Sequence, residues 1–241
     1  MRTLALLALA AFTSGVAAAQ PTAADSALVD RLATALGFAP ADRTDAGTAQ
    51  GPTDISVAVR AEFLSDLDRD LVTEALGVLE GDAYARIGEQ YRSWGEEHWG
   101  GSTEDALSGP RADSALAARY IGAFLDASQP AAVLLEVVEE ARRSLPDSTV
   151  RLLDESGIFD EVAGTSEGAA EQTQRQREQA IEVARLALAD ACADDLEALA
   201  AYYRSPAGLY VGRKAALASN RAILLPMLEM MARMAAVVPD E

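Results

Sequence analysis

Ile181, Ala184, Leu188, Cys192, Leu196, Leu199 and Tyr203 follow one another every three or four residues. Their mean spacing is about 3.67 residues, close to the 3.6 of one α-helical turn, so a single helix from near Gly168 to Tyr203 could carry a continuous apolar stripe. The same period recurs upstream. Ile55, Val59, Phe63, Leu67 and Leu71 are four apart, and Tyr84, Ile87, Tyr91 and Trp94 are three or four apart. No run alternates β-branched and aromatic residues with the period of two that a half-buried strand shows. Alanine, leucine, glutamate and arginine, all good helix formers, dominate the chain. These patterns predict an all-α protein, a multi-helix array or bundle of about seven to nine helices.

Glycine and proline divide the chain. A helix is expected over Asp25–Phe38, with Leu28, Leu32 and Leu36 on one side. Residues 39–53, with Pro40, Gly47, Gly51 and Pro52, read as a loop. Asp54 is expected to cap a helix running to Glu80, broken at Gly81-Asp82 and resumed to about Glu97. After a loop at 99–111 comes a helix over Asp113–Ala127, buried through Leu116, Tyr120 and Phe124. Gln129-Pro130 opens the next, which Pro146 stops and whose apolar face is Val133 or Leu134, Val137, Val138, Ala141 and Leu145. A short helix is expected at 149–155. The stretch Glu171–Gln179 is polar all round and should lie on the surface. The domain reading is a leader at 1–19, an N-terminal helix and linker at 20–53, a helical region at 54–165 and a second at 166–238. Glu74-Ala75-Leu76 with Ile87-Gly88, set against Glu197-Ala198-Leu199 with Val211-Gly212, suggests a weak two-fold internal repeat.

The N-terminus constrains compartment. Arg2 precedes an apolar run from Leu4 to Phe12, then small residues ending Ala17-Ala18-Ala19 before Gln20-Pro21, the layout of a cleavable secretory signal. The run is shorter than the roughly 20 apolar residues a spanning helix needs. Ala222–Val238 is also apolar, but Glu229 and Arg233 lie near its centre, so it reads as an amphipathic helix rather than a span. The expectation is an exported, soluble protein with no membrane span after cleavage, periplasmic or secreted. The single cysteine, Cys192, permits no internal disulfide, so the fold relies on packing. With a formal net charge of -18 and Lys214 as its only lysine, the chain repels nucleic acid.

The segment Tyr202-Tyr203-Arg204-Ser205-Pro206-Ala207-Gly208 reads as a helix–helix corner. Ser205 can cap the second helix through its hydroxyl, and Pro206 suits its first position. The proline is expected to push residue 204 out of the helical region. Gly208 leaves room for close approach, expected from the ring of Tyr202 or Tyr203. The aromatic-x-S-P-x-G turn of Tyr203, Ser205, Pro206 and Gly208, together with the leader, resembles the bacterial exported family called domain of unknown function 2059, over about residues 168–236. That family has polar residues after the glycine, where this chain has Leu209-Tyr210-Val211. The resemblance implies an exported helical protein and brings no assigned activity.

Chemistry-bearing motifs are few. One histidine, His98, rules out two-histidine zinc sites, and no G-x-S-x-G elbow or D-x-D-x-D-G calcium loop occurs. His98 among Trp94, Glu96, Glu97 and Trp99 reads as a surface helix end. Cys192, on the apolar stripe, reads as a buried inert thiol. The neighbouring pairs Asp194-Asp195 and Glu96-Glu97 point about 100° apart on a helix and do not converge on one substrate. Met227, Met230, Met231 and Met234 form a stripe beside Pro226, which should kink the helix. Such a stripe suits either core packing or an adaptable groove for a protein, peptide or lipid tail. No catalytic, metal or cofactor-binding residue is assigned. The reading is a non-enzymatic binding or envelope-associated module. The alternative is an envelope hydrolase whose acids converge from separate helices.

Overall fold

At Thr22 the backbone is extended and its hydroxyl oxygen accepts from Asp25 N at 3.2 Å, while the Asp25 carboxylate accepts from Thr22 N at 2.8 Å. This reciprocal capping box starts helix α1 (Ala23–Ala35) by satisfying two amides that have no partner inside the helix. The helix is followed by Gly37, whose φ of +84° suits glycine. The computed structural model describes residues 21–38, 52–98, 112–165 and 169–235. The predicted leader and most of the two predicted loops lie outside these residues. The other helices are α2 (Pro52–Ser65), α3 (Arg69–Leu79), α4 (Asp82–His98), α5 (Ser114–Ser128), α6 (Pro130–Ser144), α7 (Asp147–Glu155), α8 (Ile158–Ala163), α9 (Ala169–Ala187), α10 (Ala193–Arg204) and α11 (Pro206–Ala235). No strand occurs among the described residues, and the protein is all-α.

Eleven helices are described, against an expectation of about seven to nine from periodicity. Two of the expected helices are broken and one short helix was missed. The helix expected from Asp54 to Glu80 starts instead at Pro52 and divides at residues 66–68. There the Asp68 carboxylate caps α3 by accepting from Leu71 N at 3.0 Å. The long helix through Ile181 and Tyr203 also divides, because the chain turns at 188–190 and restarts after Cys192. Both halves pack on α5, and the break lets the chain fold back across it. Cys192 is therefore the exposed N-cap residue of α10 rather than a buried thiol on a stripe. Between 147 and 165 two short helices form, separated by Gly157 in the left-handed region at φ +71°.

Helix α11 is the spine. Its first half packs on α2, α3 and α5, and its second half on α6, α7 and α8. The main core joins Val29 and Leu32 of α1 to Val59, Phe63, Val72, Leu76, Ile87, Leu188, Leu196, Leu199 and Val211. A second cluster gathers Val138, Ala141, Leu153 and Phe159 around Leu228. A fully buried Leu or Phe stabilises by about 1.5–3 kcal/mol relative to leaving it exposed, so these clusters hold the array together without staples.

Two glycines set the position of α11. A Cβ at Gly208 would lie 2.0 Å from the carbonyl oxygen of Tyr202, and one at Gly212 would lie 2.9 Å from Ala127 Cβ. The close approach at Gly208 thus comes from backbone, not from a tyrosine ring. The corner is otherwise built as a cap. Ser205 Oγ accepts from Gly208 N at 3.1 Å, and Ser205 N donates to Tyr202 O at 2.8 Å. Ser205 takes the extended conformation (φ −72°, ψ 159°), while Arg204 stays in α10. The residue forced out of the helix is the one directly before the proline. Tyr210 then ties the spine to the α2–α3 turn: its hydroxyl donates to Asp66 O at 2.5 Å and accepts from Asp68 N at 3.1 Å.

The stretch Ala115–Ser144 is long and apolar enough to cross a membrane by length and composition alone. It is two helices, since Gln129 sits in the left-handed region at φ +46° and Pro130 starts α6. Ala117, Ala123 and Ala127 of α5 are buried against the rest of the protein.

Candidate ligand-binding site

Helix α4 carries Tyr84, Gly88 and Tyr91 at i, i+4 and i+7, a spacing that puts them on one face. Opposite stand Tyr120, Ile121 and Phe124 of α5, Ala180 and Val183 of α9, and Tyr203 of α10. Together they line a cavity of about 420 Å³, within the usual size range of small-molecule sites, roughly 300–1,000 Å³. Phe124 is 41% and Val183 39% exposed, so these two form its apolar mouth. Phe124 was expected to be buried with Leu116 and Tyr120.

The walls are held by polar contacts outside the cavity. Arg86 donates from Nε and Nη2 to the two oxygens of Asp195 at 2.8 and 2.7 Å, a bidentate pair that fastens α4 to α10. Arg204 donates to the Arg119 carbonyl at 3.4 Å, and Ala112 N donates to Arg185 O at 2.7 Å. These contacts hold α5 to α10 and the entry of α5 to the end of α9. Inside, Tyr203 is the floor: its ring lies 6.1 Å from Tyr120, 5.3 Å from Phe124 and 5.1 Å from Tyr202, centroid to centroid. Edge and tilted contacts at these separations are the favourable ones for aromatic rings.

Five of the six tyrosines of the chain, Tyr84, Tyr91, Tyr120, Tyr202 and Tyr203, are gathered here. Burial raises the pKa of all five above the ordinary phenol value, most of all at Tyr203, with the neighbouring phenols adding to the effect. Every hydroxyl therefore stays protonated and able to donate near neutral pH. Four of them, Tyr84, Tyr91, Tyr120 and Tyr203, line the cavity. No lining residue among the described residues is charged. The arrangement offers apolar walls, aromatic rings and phenol donors, the make-up of a small-molecule site.

A second cavity of about 700 Å³ adjoins the first and shares Ala180 with it, bordered by Leu125, Gln129, Pro130 and Arg177. A third, about 710 Å³, surrounds Asp25 and Arg69. Its central pair is bidentate at 2.6 and 3.0 Å, and the guanidinium holds the Asp25 carboxyl well below its usual range. Its polar groups serve the capping box and the α2–α3 turn.

Carboxylates from separate helices do converge, but each meets a cation. Arg221 donates to Glu140 at 2.6 Å and to Glu62, and its Nη2 lies 3.6 Å from Glu136. Lys214 lies 3.8 Å from Glu62 and donates to its carbonyl at 2.9 Å. Among the described residues, no group of three or more His, Cys, Asp or Glu could hold a metal. Asp195 serves Arg86 while Asp194 is exposed, so that neighbouring pair does not act together.

The methionine stripe splits. Met231 packs on the Leu228–Phe159 cluster, Met227 is half-buried and Met230 is 55% exposed. The side chains of Met234 and His98 lie outside the description. The helix continues through Pro226 to Ala235. The tyrosine cleft was missed from sequence because its walls come from four helices. The available signal was the recurrence of tyrosine and glycine on one face of α4. Comparison of the chain with models of protein families, with curated proteins and with solved structures finds no match to any of them.

Proposed function

We propose that the protein is exported and binds a small, mostly apolar molecule in the tyrosine cleft, as a non-enzymatic binding or envelope-associated module. The observation that carries this reading is a cavity of about 420 Å³ lined by four tyrosines and Phe124. Phenol hydroxyls at the edge of an apolar cavity can donate to the acceptors of a bound molecule and fix its orientation. The reading of export rests on the Arg2, Leu4–Phe12 and Ala17–Ala19 pattern. Kinship of residues 168–236 with domain of unknown function 2059 is part of the same proposal, supported by the way Ser205, Pro206 and Gly208 build the corner. An envelope hydrolase finds less support, since the converging carboxylates are ion-paired.

A thermal-shift screen of neutral apolar compounds tests the binding reading. A ligand at about a hundred times its Kd raises stability by about 2.7 kcal/mol. Compounds should stabilise the wild type and not Val183→Trp, in which the enlarged mouth residue fills the cleft. Equal stabilisation of both would place binding elsewhere. Expression of the full chain in a bacterium tests export: the periplasmic product should begin at Gln20, and a cytoplasmic product retaining Met1 would refute it.

A further inference from the structure

The helical glycines divide by what a methyl group would meet. At Gly208 and Gly212 it would strike Tyr202 and Ala127, and at Gly122 it would touch the Arg177 guanidinium at 3.4 Å. At Gly77, Gly88 and Gly95 it would meet nothing within 4 Å. Glycine in a helix interior is unfavourable relative to alanine, so packing gives no reason for these three. Of the three, Gly88 lines the tyrosine cavity. Tyr84 and Tyr91 lie one turn to either side on the same face, about 10.5 Å apart along the axis at 1.5 Å per residue. Helix α4 thus presents an exposed strip of bare backbone between two tyrosines, in the same lining as Tyr120, Phe124 and Tyr203.

We infer that this slot takes the planar ring of an uncharged aromatic or heteroaromatic molecule bearing hydrogen-bond acceptors, and that Gly88 sets the size of ring admitted. This rests on the reading of the cleft as a ligand site. Three observations select the occupant. The walls are aromatic: Tyr84, Tyr91, Tyr120, Phe124 and Tyr203 line the cavity, and a further ring can make favourable contacts with them at centroid separations of about 4.5–7 Å. The described lining carries no charge, so a charged ligand would be desolvated there without a partner. The polar side chains of the described lining are phenols, whose hydroxyls donate to acceptors such as a ring carbonyl. An aliphatic chain would leave those donors unpaired. Arg177 borders the adjoining cavity and already lies 3.9 Å from the Asp126 carboxylate.

Calorimetry on the full chain with three probes tests this: coumarin, which is planar, neutral and carbonyl-bearing; coumarin-3-carboxylate, its charged analogue; and decan-1-ol, which is aliphatic. Coumarin should bind one-to-one, and the other two at least about tenfold more weakly, the scale expected when a site's polar groups go unpaired. Gly88→Leu should weaken coumarin by about tenfold or more and Gly88→Ala by less, since added carbons occupy the space the ring would fill. Gly77→Leu, outside the cavity, should leave affinity unchanged. Both Gly88 variants should melt no lower than wild type, which separates a filled slot from a damaged fold. If leucine unfolds the chain, the alanine variant carries the comparison. Coumarin bound equally by wild type and the Gly88 variants overturns the assignment of the slot. Decanol or the carboxylate binding more tightly than coumarin overturns the assignment of the occupant while the ligand-site reading stands. No binding of any of the three overturns both.

Discussion

Replacing Gly208 by alanine adds one methyl group where the structure has no room for it. The new Cβ would sit 2.0 Å from the Tyr202 carbonyl oxygen and 2.8 Å from both Tyr202 C and Tyr203 Cα. All three are backbone atoms at the end of α10, so no side chain can swing aside. Added methylenes in a packed interior cost about 1–3 kcal/mol, and a contact against backbone belongs at the upper end. Alanine's better helix propensity returns at most about 1 kcal/mol. The net loss is about 2 kcal/mol or more, which for a chain of this size lowers Tm by about 4–8 °C. Gly88→Ala makes the same chemical change in open space, so only the propensity gain of about 0.8–1 kcal/mol applies. It should raise Tm by about 2–4 °C. Melting both variants by circular dichroism at one pH and protein concentration removes the common offset. Identical melting temperatures for the two variants would refute the argument, because the only difference between the sites is what surrounds the added carbon.

Four further outcomes follow from the packing. Leu228→Ala should cost about 2–5 kcal/mol in urea denaturation, since Leu228 is wholly buried in the second cluster. Met230→Ala, at a side chain more than half exposed, should stay within about 0.5 kcal/mol, so equal losses would contradict the split of the methionine stripe. The hydrogen bonds from Arg86 hold the Asp195 carboxyl below its ordinary range. Its stabilisation is complete above the unfolded carboxylate pKa of about 3.9 and is lost as pH falls through the folded value. Wild type should accordingly lose Tm more steeply than Asp195→Asn on acidification below about pH 4, and parallel profiles would remove Arg86–Asp195 from the account. Cys192 should react fully with a thiol reagent in the folded protein without denaturant, whereas protection until unfolding would return it to the interior.

The Ser205 corner shows how far local reasoning reached. Its cap and its proline could be read from residue types, because both act on backbone groups within three positions. The partner of Gly208 could not, because which atom fills the space beside a glycine depends on how the two helices cross. Tyr210 is similar: nothing in its local sequence marks it, yet it is the strut that clamps the turn at Asp66 and Asp68, 144 and 142 residues away in the chain.

Periodicity by itself determined that the chain is all helix, since a spacing near 3.6 residues makes an apolar face only on a helix. It likewise determined that Val59, Phe63, Val137, Ala141, Leu188 and Leu196 face inward, as they do. Tertiary structure decided where the helices break. The apolar stripe from Ile181 to Tyr203 runs through Cys192 without glycine or proline, and the turn there forms because both resulting segments bury themselves on α5. Tertiary structure also decided the cleft. Tyr84, Tyr91, Tyr120, Tyr202 and Tyr203 span more than half the described chain, and only helix packing brings them together. Hydrophobic spacing records which residues leave water, but it carries no information about which of them then become neighbours.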